Sequence, residues 1–242
     1  MNSKKFHIHF LVRLAIFWMA YFAMFRMLFI VYHHTKILDG QHNETGMSFL
    51  YGIRLDLSTA SVALIIPFVL WAFQQYHKSR LIHLLNLAFN CSLIIITSAL
   101  SIFNLKIYGE WDTLLGYRAF KHLLFAQQNH PFFSFWSILL LLFAVAVFAY
   151  IGIRAYRKYV ISFSYPIDNS RVRISLMVAI PIALFITYRG GLQAIPISEK
   201  ESSYSEIAIN NSIATNNIWY FVHTMYNAQV DEEFKTDTLN HK

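Results

Sequence analysis

Apolar residues in this chain are gathered into long windows that short polar segments separate. Each window is about 17 to 25 residues long, the length that a helix rising about 1.5 Å per residue needs to cross about 30 Å of hydrocarbon. We therefore predict an all-α fold, a polytopic membrane bundle of five transmembrane helices. The predicted spans are 10–32, 49–73, 81–104, 132–153 and 172–188.

The composition favours a membrane protein over a soluble one. Hydrophobic residues make up 56% of the 242 residues, aromatic residues 17% and charged residues only 14%, whereas soluble domains carry about 25% charged residues. A cleaved signal peptide is an alternative for the first window. That window is too long for the apolar core of a signal peptide, and no small-x-small cleavage site follows it.

Lysine and arginine collect in the segments that we expect on one side of the membrane. Because cytoplasmic loops are enriched in both residues, we predict that the N-terminus lies inside and the C-terminus outside. The net charge of +7 is interpreted as this topology signal with some attraction to anionic lipid heads, and no basic stripe indicates nucleic-acid binding. The inner residues are Lys4, Lys5, Arg13, Lys78, Arg80, Arg154, Arg157, Lys158, Arg171 and Arg173.

The third connection, residues 105–131, is long and mixes aromatic with charged residues. Its part 107–121 has an amphipathic pattern, and segments of this kind lie flat in the headgroup region. We predict an interfacial helix there, with Trp111 and Tyr117 in the aromatic belt. A role in contacting substrate stays open as an alternative.

Three charged residues, Arg26, Arg54 and Asp56, fall at one level in the outer half of the predicted spans. A charge inside a span costs about 2.5 to 3.5 kcal/mol on insertion scales, so it usually faces a partner or a wet cavity. One hypothesis is that one arginine pairs with Asp56 and the other holds an anionic group such as a lipid phosphate. The alternative is a structural salt bridge, with the arginines reaching the outer surface.

A pair of glycines follows the last window, where the chain is expected to leave the membrane. Gly190 and Gly191 allow a sharp backbone turn beside Arg189. Gln193 comes next, and Pro196 then holds an extended segment that does not continue a helix. We call these five residues the exit joint.

The exit joint divides the chain into a five-span transmembrane domain, 1–189, and an extracytoplasmic tail or linker, 190–242. The tail is too short and too polar to be a catalytic domain by itself. Its aromatic residues would be awkward in water, so we expect them to pack on the outer face of the bundle. They are Trp219, Tyr220, Phe221 and Tyr226.

The sequence carries none of the common motifs of soluble enzymes or metal sites. We find no HExxH pair, no G-x-S-x-G, no P-loop and no Gly-rich dinucleotide turn, so we assign no catalytic and no metal-binding residue. The single cysteine, Cys91, lies in the third window. It is interpreted as a packing residue, because one cysteine allows no internal disulfide.

Four short motifs carry a resemblance to a known family. They are Tyr51-Gly52-Ile53-Arg54-Leu55-Asp56-Leu57-Ser58, Tyr108-Gly109-Glu110-Trp111, Arg189-Gly190-Gly191-Leu192-Gln193 with Pro196-Ile197, and the Asn-rich 210–219. Together they resemble the membrane part of the lipoteichoic acid synthase and sulfatase-like family of the alkaline phosphatase superfamily. They extend over much of the chain, and the exit joint is the most specific of them. One departure is Lys106, at a place where relatives tend to carry an acidic residue.

The resemblance implies a multi-pass protein of the bacterial cytoplasmic membrane. Relatives carry, after such a tail, a catalytic domain with a threonine nucleophile and a divalent metal, usually manganese, which moves glycerol phosphate from phosphatidylglycerol or acts on related phosphate and sulfate esters. We expect that domain to be absent from this chain, so no cofactor is expected here. The implied outer rim for a lipid headgroup consists of Arg26, Arg54, Asp56, Glu110 and Arg189.

Two functions remain open at this point. The first is the membrane anchor and lipid-presenting part of an extracytoplasmic phosphoryl or sulfuryl transfer enzyme, with membrane lipids and a sulfatase-like domain, in cis or in trans, as partners. The second is a non-enzymatic membrane scaffold or regulator of an envelope enzyme. A transporter is disfavoured, because the five windows show neither repeated halves nor paired broken helices.

Overall fold

In the computed structural model, the described residues form helices joined by turns. They are 9–37, 42–77, 79–125, 134–161, 167–193 and 195–240, the side chains of 9, 42 and 230–240 excepted. The helices are α1 (His9–Tyr32), α2 (His42–Tyr51), α3 (Ile53–Gln74), α4 (Arg80–Trp111), α5 (Tyr117–Phe125), α6 (Phe135–Ala155), α7 (Ser170–Tyr188), α8 (Ala208–Ala214) and α9 (Asn217–Asn240). Short 3₁₀ turns occupy His34–Lys36 and Glu199–Ser202, and a π-helical turn, Tyr156–Val160, extends α6.

Within the described residues the structure confirms that the regular secondary structure is helical and that five helices are long and apolar enough to cross a membrane. These candidate spans are Phe10–Tyr32, Asn43–Gln74, Arg80–Trp111, Phe135–Val160 and Ser170–Tyr188. Each corresponds to one window of the sequence. Which side of the membrane each end faces stays a prediction.

The predicted end of the third window was wrong. The third window was expected to end at residue 104, but α4 continues to Trp111, where Asp112 takes a left-handed conformation with φ of 51°. The predicted interfacial segment 107–121 is therefore divided between the end of α4 and the start of α5. Its position in the headgroup region stays a prediction. The start of the fourth window, residue 132, lies outside the described residues.

The core of the bundle lies around α1, whose aromatic side chains pack against α3, α4 and α6. Trp18 is 1% exposed, and Tyr21 donates to the backbone oxygen of Phe148 on α6 over 3.1 Å. Gly152 on α6 lies directly against Tyr21, because a Cβ there would come within 2.7 Å of the Tyr21 hydroxyl. Large aromatic groups thus fill the space between three spans, and a glycine makes room for one of them.

The last span, α7, lies at the edge of the bundle and contributes no buried residue. It packs along α3, where two short hydrogen bonds hold it. Ser58 donates to the backbone oxygen of Tyr188 over 2.6 Å, and the hydroxyls of Ser61 and Thr187 are also 2.6 Å apart. Most of the α7 surface is left for lipid or for another membrane helix.

The two ends of the bundle differ in charge. At one end, which we call the basic end, Phe10, Gln74, His83 and Tyr156 line a common small cavity, so α1, α3, α4 and the π-helical turn meet there. The described basic residues of the predicted inner segments come before or after these lining residues in the sequence. They are Arg13, Arg80, Arg154, Arg157, Lys158, Arg171 and Arg173. Lys4, Lys5 and Lys78 lie outside the described residues. Which side of the membrane the basic end faces stays a prediction.

The tail covers the opposite end, which we call the capped end. Helix α8 packs on α2, and α9 packs on α3, α4 and α5. Trp219 is 9% exposed beside Leu55, and Tyr220 and Phe221 also contact buried clusters, whereas Tyr226 is 67% exposed. Three of the four aromatic residues therefore pack as expected, and the expectation for Tyr226 was wrong.

Candidate lipid-headgroup site at the capped end

Arg26 and Asp56 form a buried ion pair between α1 and α3. The guanidinium donates to both carboxylate oxygens, from Nη1 to Oδ2 over 2.7 Å and from Nη2 to Oδ1 over 3.0 Å. The two side chains are only 4% and 2% exposed. Such a two-point contact is the strong form of an arginine–carboxylate pair, and it solves the problem of placing both charges inside spans.

The remaining bonds of this pair go to the tail. Arg26 donates from Nε to the backbone oxygen of Ile213 over 3.0 Å and from Nη2 to that of Ala214 over 3.3 Å. Asn216 donates from Nδ2 to Asp56 Oδ1 over 2.8 Å. Together, these contacts connect two spans to the last residues of α8 and to Asn216 directly before α9, so the pair acts as a clamp on the tail.

Gly52, between α2 and α3, is required for this close approach. A Cβ at that position would collide with the Arg26 guanidinium and lie 2.6 Å from the backbone oxygen of Ala214. Gly52 has φ of −76°, so the reason for glycine here is space and not backbone conformation. The sequence contains this residue in the Tyr-Gly-Ile-Arg-Leu-Asp motif, but the motif alone does not say what it contacts.

Asn216 also determines where α9 begins. Its Oδ1 accepts from the backbone N–H groups of Ile218 and Trp219, each over 3.0 Å. This is an N-cap, which satisfies two of the donors that every helix start leaves open. Since the same side chain binds Asp56, the first turn of α9 is fixed to the bundle.

Arg54 forms a second connection between α3 and the tail. It makes an ion pair with Glu201 and donates from Nη2 to the backbone oxygen of Gly190 and to Gln193 Oε1, each over 2.8 Å. The structure therefore pairs Asp56 with Arg26, which is one of the two pairings expected from the sequence, and not with Arg54. It does not leave Arg54 as the spare guanidinium. The Arg54 side chain is still 40% exposed.

The exit joint is a sharp turn at the end of α7. Gly190 and Gly191 have φ of +84° and +132°, and the Gly191 N–H donates to the backbone oxygen of Ile186 over 2.9 Å. Ile197 then donates back to the backbone oxygen of Arg189 over 3.0 Å, so the chain returns beside α7. Pro196 is exposed within this return.

The two other predicted rim residues are placed differently. Glu110 forms an ion pair with Lys106, one turn earlier on α4, over 2.5 Å. Arg189 caps the C-terminal end of α7. The structure brings Arg26 and Asp56 into direct contact, joins Arg54 to the exit joint, and places Glu110 outside both groups. Headgroup binding by any of these residues stays a prediction.

The Asn-rich segment is held by its own side chains. Asn210 accepts from the Thr45 hydroxyl over 3.0 Å. Asn211 accepts from the backbone N–H groups of Tyr204 and Ser205 over 3.0 and 2.9 Å and donates to the Ser205 oxygen over 2.7 Å. Burial raises the pKa of Tyr204 to about 12, with Glu44 adding to the effect. These asparagines therefore build the tail, and Tyr204 stays a neutral hydroxyl.

His33, directly after α1, lies buried against Phe29 and Tyr108. Burial is the main reason that the pKa of His33 is lowered from 6.5 to about 4, and the positive charge of Lys36 acts in the same direction. Among the residues that the structure describes, none forms a hydrogen bond with its Nε2 atom. The imidazole is therefore neutral at physiological pH, because a positive charge there would lack water.

Two cavities lie near the clamp. A small cavity of about 30 Å³ is lined by Arg26, Asp56, Asn104 and Asn216 together with apolar residues, and it has room for about two water molecules. An open cleft of about 780 Å³ separates α5 from α9, with Arg118, His122 and Tyr220 on its walls. Such clefts offer hydrogen-bonding groups to a polar ligand.

Comparisons with known proteins do not assign this chain to a family. No protein-family model, no curated protein and no solved structure matches it. The resemblance to the lipoteichoic acid synthase and sulfatase-like family rests on the sequence motifs and stays a prediction. Among the residues that the structure describes, no group of three or more His, Cys, Asp or Glu side chains could hold a metal ion.

Sequence reasoning missed three residues of this site, namely Gly52, Glu201 and Asn216. Asn216 carried a usable signal, because asparagine before an aromatic-rich helical run is a frequent N-cap. Glu201 carried none, since an acidic residue in a polar tail has many possible partners. Gly52 could be placed only once Arg26 and the tail were seen on either side of it.

Proposed function

We propose that this chain is the membrane anchor and lipid-presenting part of an extracytoplasmic enzyme of the lipoteichoic acid synthase and sulfatase-like family. In this proposal the capped end faces outwards from a bacterial cytoplasmic membrane. The partner domain, in cis or in trans, carries the catalytic threonine and the manganese or other divalent metal. The resemblance of the sequence motifs supports the family, and the clamp on the tail supports the anchoring role.

The clamp is the observation that carries the anchoring role. A flexible linker needs no buried charge, yet here Arg26, Asp56 and Asn216 fix the beginning of α9 to α1 and α3. An attached domain would then keep a defined height and direction above the membrane. A fixed geometry of this kind is what an enzyme acting on lipid headgroups needs, because reacting groups must be positioned closely.

Arg54 is the residue best placed to contribute to lipid presentation. Its guanidinium is partly exposed, and it is bound to a carboxylate that a phosphate oxygen could replace. A headgroup phosphate of phosphatidylglycerol would take the place of Glu201 while the bonds to Gly190 and Gln193 keep the guanidinium oriented.

The lipid part is tested by native mass spectrometry of the purified chain with phosphatidylglycerol or the uncharged lipid diacylglycerol. We expect selective retention of phosphatidylglycerol and its loss in Arg54→Gln. Lys200→Gln is the matched control, since Lys200 is an exposed cation in the same 3₁₀ turn as Glu201. Equal retention of both lipids, or an equal loss in both variants, would count against lipid presentation.

The anchoring part is tested by distance measurement between two spin labels. In a Cys91→Ser background, Ile16→Cys on α1 and Tyr226→Cys on α9 place labels at exposed positions. We expect a narrow distance distribution that broadens in Asp56→Asn and not in Glu206→Gln, a change at an exposed tail residue. A broad distribution before any change at Asp56 would refute a fixed tail.

The alternative is a non-enzymatic scaffold or regulator of an envelope enzyme. The exposed surface of α7 favours it, because a span without buried residues leaves room for a second membrane protein. Mild purification from the source membranes followed by peptide mass spectrometry separates the two. A sulfatase-like domain in the same polypeptide, or in a stoichiometric complex with it, supports the anchor, and a partner of another class supports the scaffold.

A further inference from the structure

An apolar groove runs along the bundle between α1, α4 and α6, apart from the clamp. It encloses about 360 Å³, within the size range of small-molecule sites. Its walls are aliphatic and aromatic, with Leu28, Ile102 and Phe148 among them. Since all three helices are candidate spans, the medium facing the groove is hydrocarbon and not water.

The groove has the length of a lipid chain segment. Along α6 it extends from Ser137 to Phe148, which corresponds to about 16 Å at the rise of an α-helix. Ser137 and Ala144 are the two small side chains in its lining, so an aromatic ring placed at Ala144 would occupy the groove. The groove therefore suits an extended acyl chain. Discrimination between lipids must then depend on contacts of the headgroup at the mouth of the groove.

The mouth of the groove lies at headgroup level. Helix α4 has 32 residues, or about 48 Å, and exceeds the hydrocarbon core by several turns. Lys106 lines the groove little more than one turn before α4 ends at Trp111, and Tyr32 ends α1 on the same side. Tryptophan and tyrosine are the residues enriched at the membrane–water interface.

Two ion pairs of the described residues lie at the mouth. Lys106 pairs with Glu110 over 2.5 Å, and both side chains are about a quarter exposed, at 28% and 24%. Next to them Lys36 pairs with Asp112 over 2.5 Å and donates to the backbone oxygens of Tyr108 and Gly109. Each lysine is thus matched by a carboxylate. A headgroup with one cation and one anion would meet a complementary pair at Lys106 and Glu110.

We propose that this groove binds one zwitterionic phospholipid with an ammonium headgroup. One acyl chain lies between α4 and α6, the phosphate contacts Lys106 and the ammonium contacts Glu110. This site is separate from the proposed anionic-lipid contact at Arg54 and does not depend on it.

Native mass spectrometry of the delipidated Arg54→Gln chain tests the proposal, because this variant lacks the proposed phosphatidylglycerol contact outside the groove. Three lipids of identical acyl chains are compared: phosphatidylethanolamine, phosphatidylglycerol and diacylglycerol. We expect phosphatidylethanolamine to be retained over the other two by about fivefold, which corresponds to the free energy of one partly exposed ion pair. The double variant Arg54→Gln/Glu110→Gln should lose the preference over phosphatidylglycerol. Retention of phosphatidylglycerol equal to that of phosphatidylethanolamine by the Arg54→Gln chain would overturn the proposal.

The groove itself is tested with two alanines of the same helix. Ala144→Phe fills the groove and should lower retention of phosphatidylethanolamine, whereas Ala146→Phe, at an exposed position on α6, should not. Thermal unfolding of both variants in detergent shows whether they fold equally well. Equal retention by the two folded variants would show that the lipid lies elsewhere. If Ala144→Phe does not fold, the Glu110→Gln comparison still decides the proposal.

Discussion

Two arginines hold the tail to the bundle, and they do so in different surroundings. The Arg26–Asp56 side chains are 4% and 2% exposed, whereas those of Arg54 and Glu201 are 40% and 24% exposed. Both arginines also donate to backbone oxygens of the segment that follows α7. The chemistry is the same, so burial should decide how much each pair matters, because only an exposed charge can turn to water when its partner is lost.

The largest effect is expected at the buried pair. Asp56→Ala leaves the Arg26 charge without a partner inside the bundle, and we expect a loss of about 3 to 5 kcal/mol in the free energy of unfolding. Denaturant unfolding in detergent, followed by tryptophan fluorescence, measures it. The double variant Arg26→Met/Asp56→Leu removes both charges and should recover a substantial part of that loss. A double variant as unstable as Asp56→Ala would show that the cost is not that of an unpaired charge.

The next effect concerns the exit joint, which Arg54 contacts. Gly190→Val places a side chain at φ of +84°, with its Cβ 2.8 Å from that of Ile197, and we expect a loss of about 1 to 3 kcal/mol. Gly191→Val, at φ of +132° but with nothing within 4 Å, should cost less than Gly190→Val. Gln193→Ala should cost least, since it removes one hydrogen bond. Thermal unfolding of the three variants checks this order, and equal stability of all three would contradict it.

A smaller loss in the free energy of unfolding is expected at acidic pH, because His33 is buried without a carboxylate as hydrogen-bond partner among the described residues. The pKa of His33 is about 4 in the folded chain and 6.5 as its ordinary value, so the unfolded chain takes up the proton first. The stabilising effect of neutral His33 is complete above about pH 6.5 and is lost as the pH falls towards 4. At pH 5.5 the loss is about 1 to 2 kcal/mol.

His33→Gln should remove this part of the pH dependence. Stability of both proteins is measured between pH 4 and pH 8. The unmodified chain should lose more stability than the variant between pH 6.5 and pH 4. Parallel curves for the two proteins would mean that His33 does not titrate in this range.

The smallest effect is expected for the exposed arginine. Arg54→Gln should reduce the free energy of unfolding by about 1 kcal/mol or less, since the lost pair is partly in water. Its effect should shrink further at about 1 M salt, where the screening length is about 3 Å, whereas the effect of Asp56→Ala should hardly change. A loss for Arg54→Gln as large as that for Asp56→Ala would refute the role assigned to burial.

The five spans could be predicted because they depend on composition over long windows. An apolar stretch of sufficient length forms a helix in a membrane whatever its neighbours are, since every backbone hydrogen bond must be made within it. The boundary at residue 104 was wrong for a related reason. Beyond the hydrocarbon a helix is no longer required to be apolar. Helix α4 therefore continues through Lys106 and Glu110, which lie outside the apolar window and were expected in the third connection.

The candidate site was predictable only in part. That Arg26, Arg54 and Asp56 needed partners followed from the cost of a charge in a span, but the partner of each depends on tertiary packing. Arg54 found Glu201, which lies 147 positions along the chain. Helix periodicity carries no information over such a distance.

The same long sequence separations determine when the clamp can form. Arg26 and Ile213 are 187 positions apart, and Asp56 and Asn216 are 160 apart. Contacts between such distant residues form late, since the chain between them must first be made and ordered. During synthesis α1 and α3 therefore enter the membrane with their charges only partly satisfied, and the tail completes the site last. Until the tail packs, the Arg26–Asp56 pair lacks the hydrogen bonds that Ile213, Ala214 and Asn216 supply. A bundle in this incompletely folded state is a potential substrate for membrane proteases.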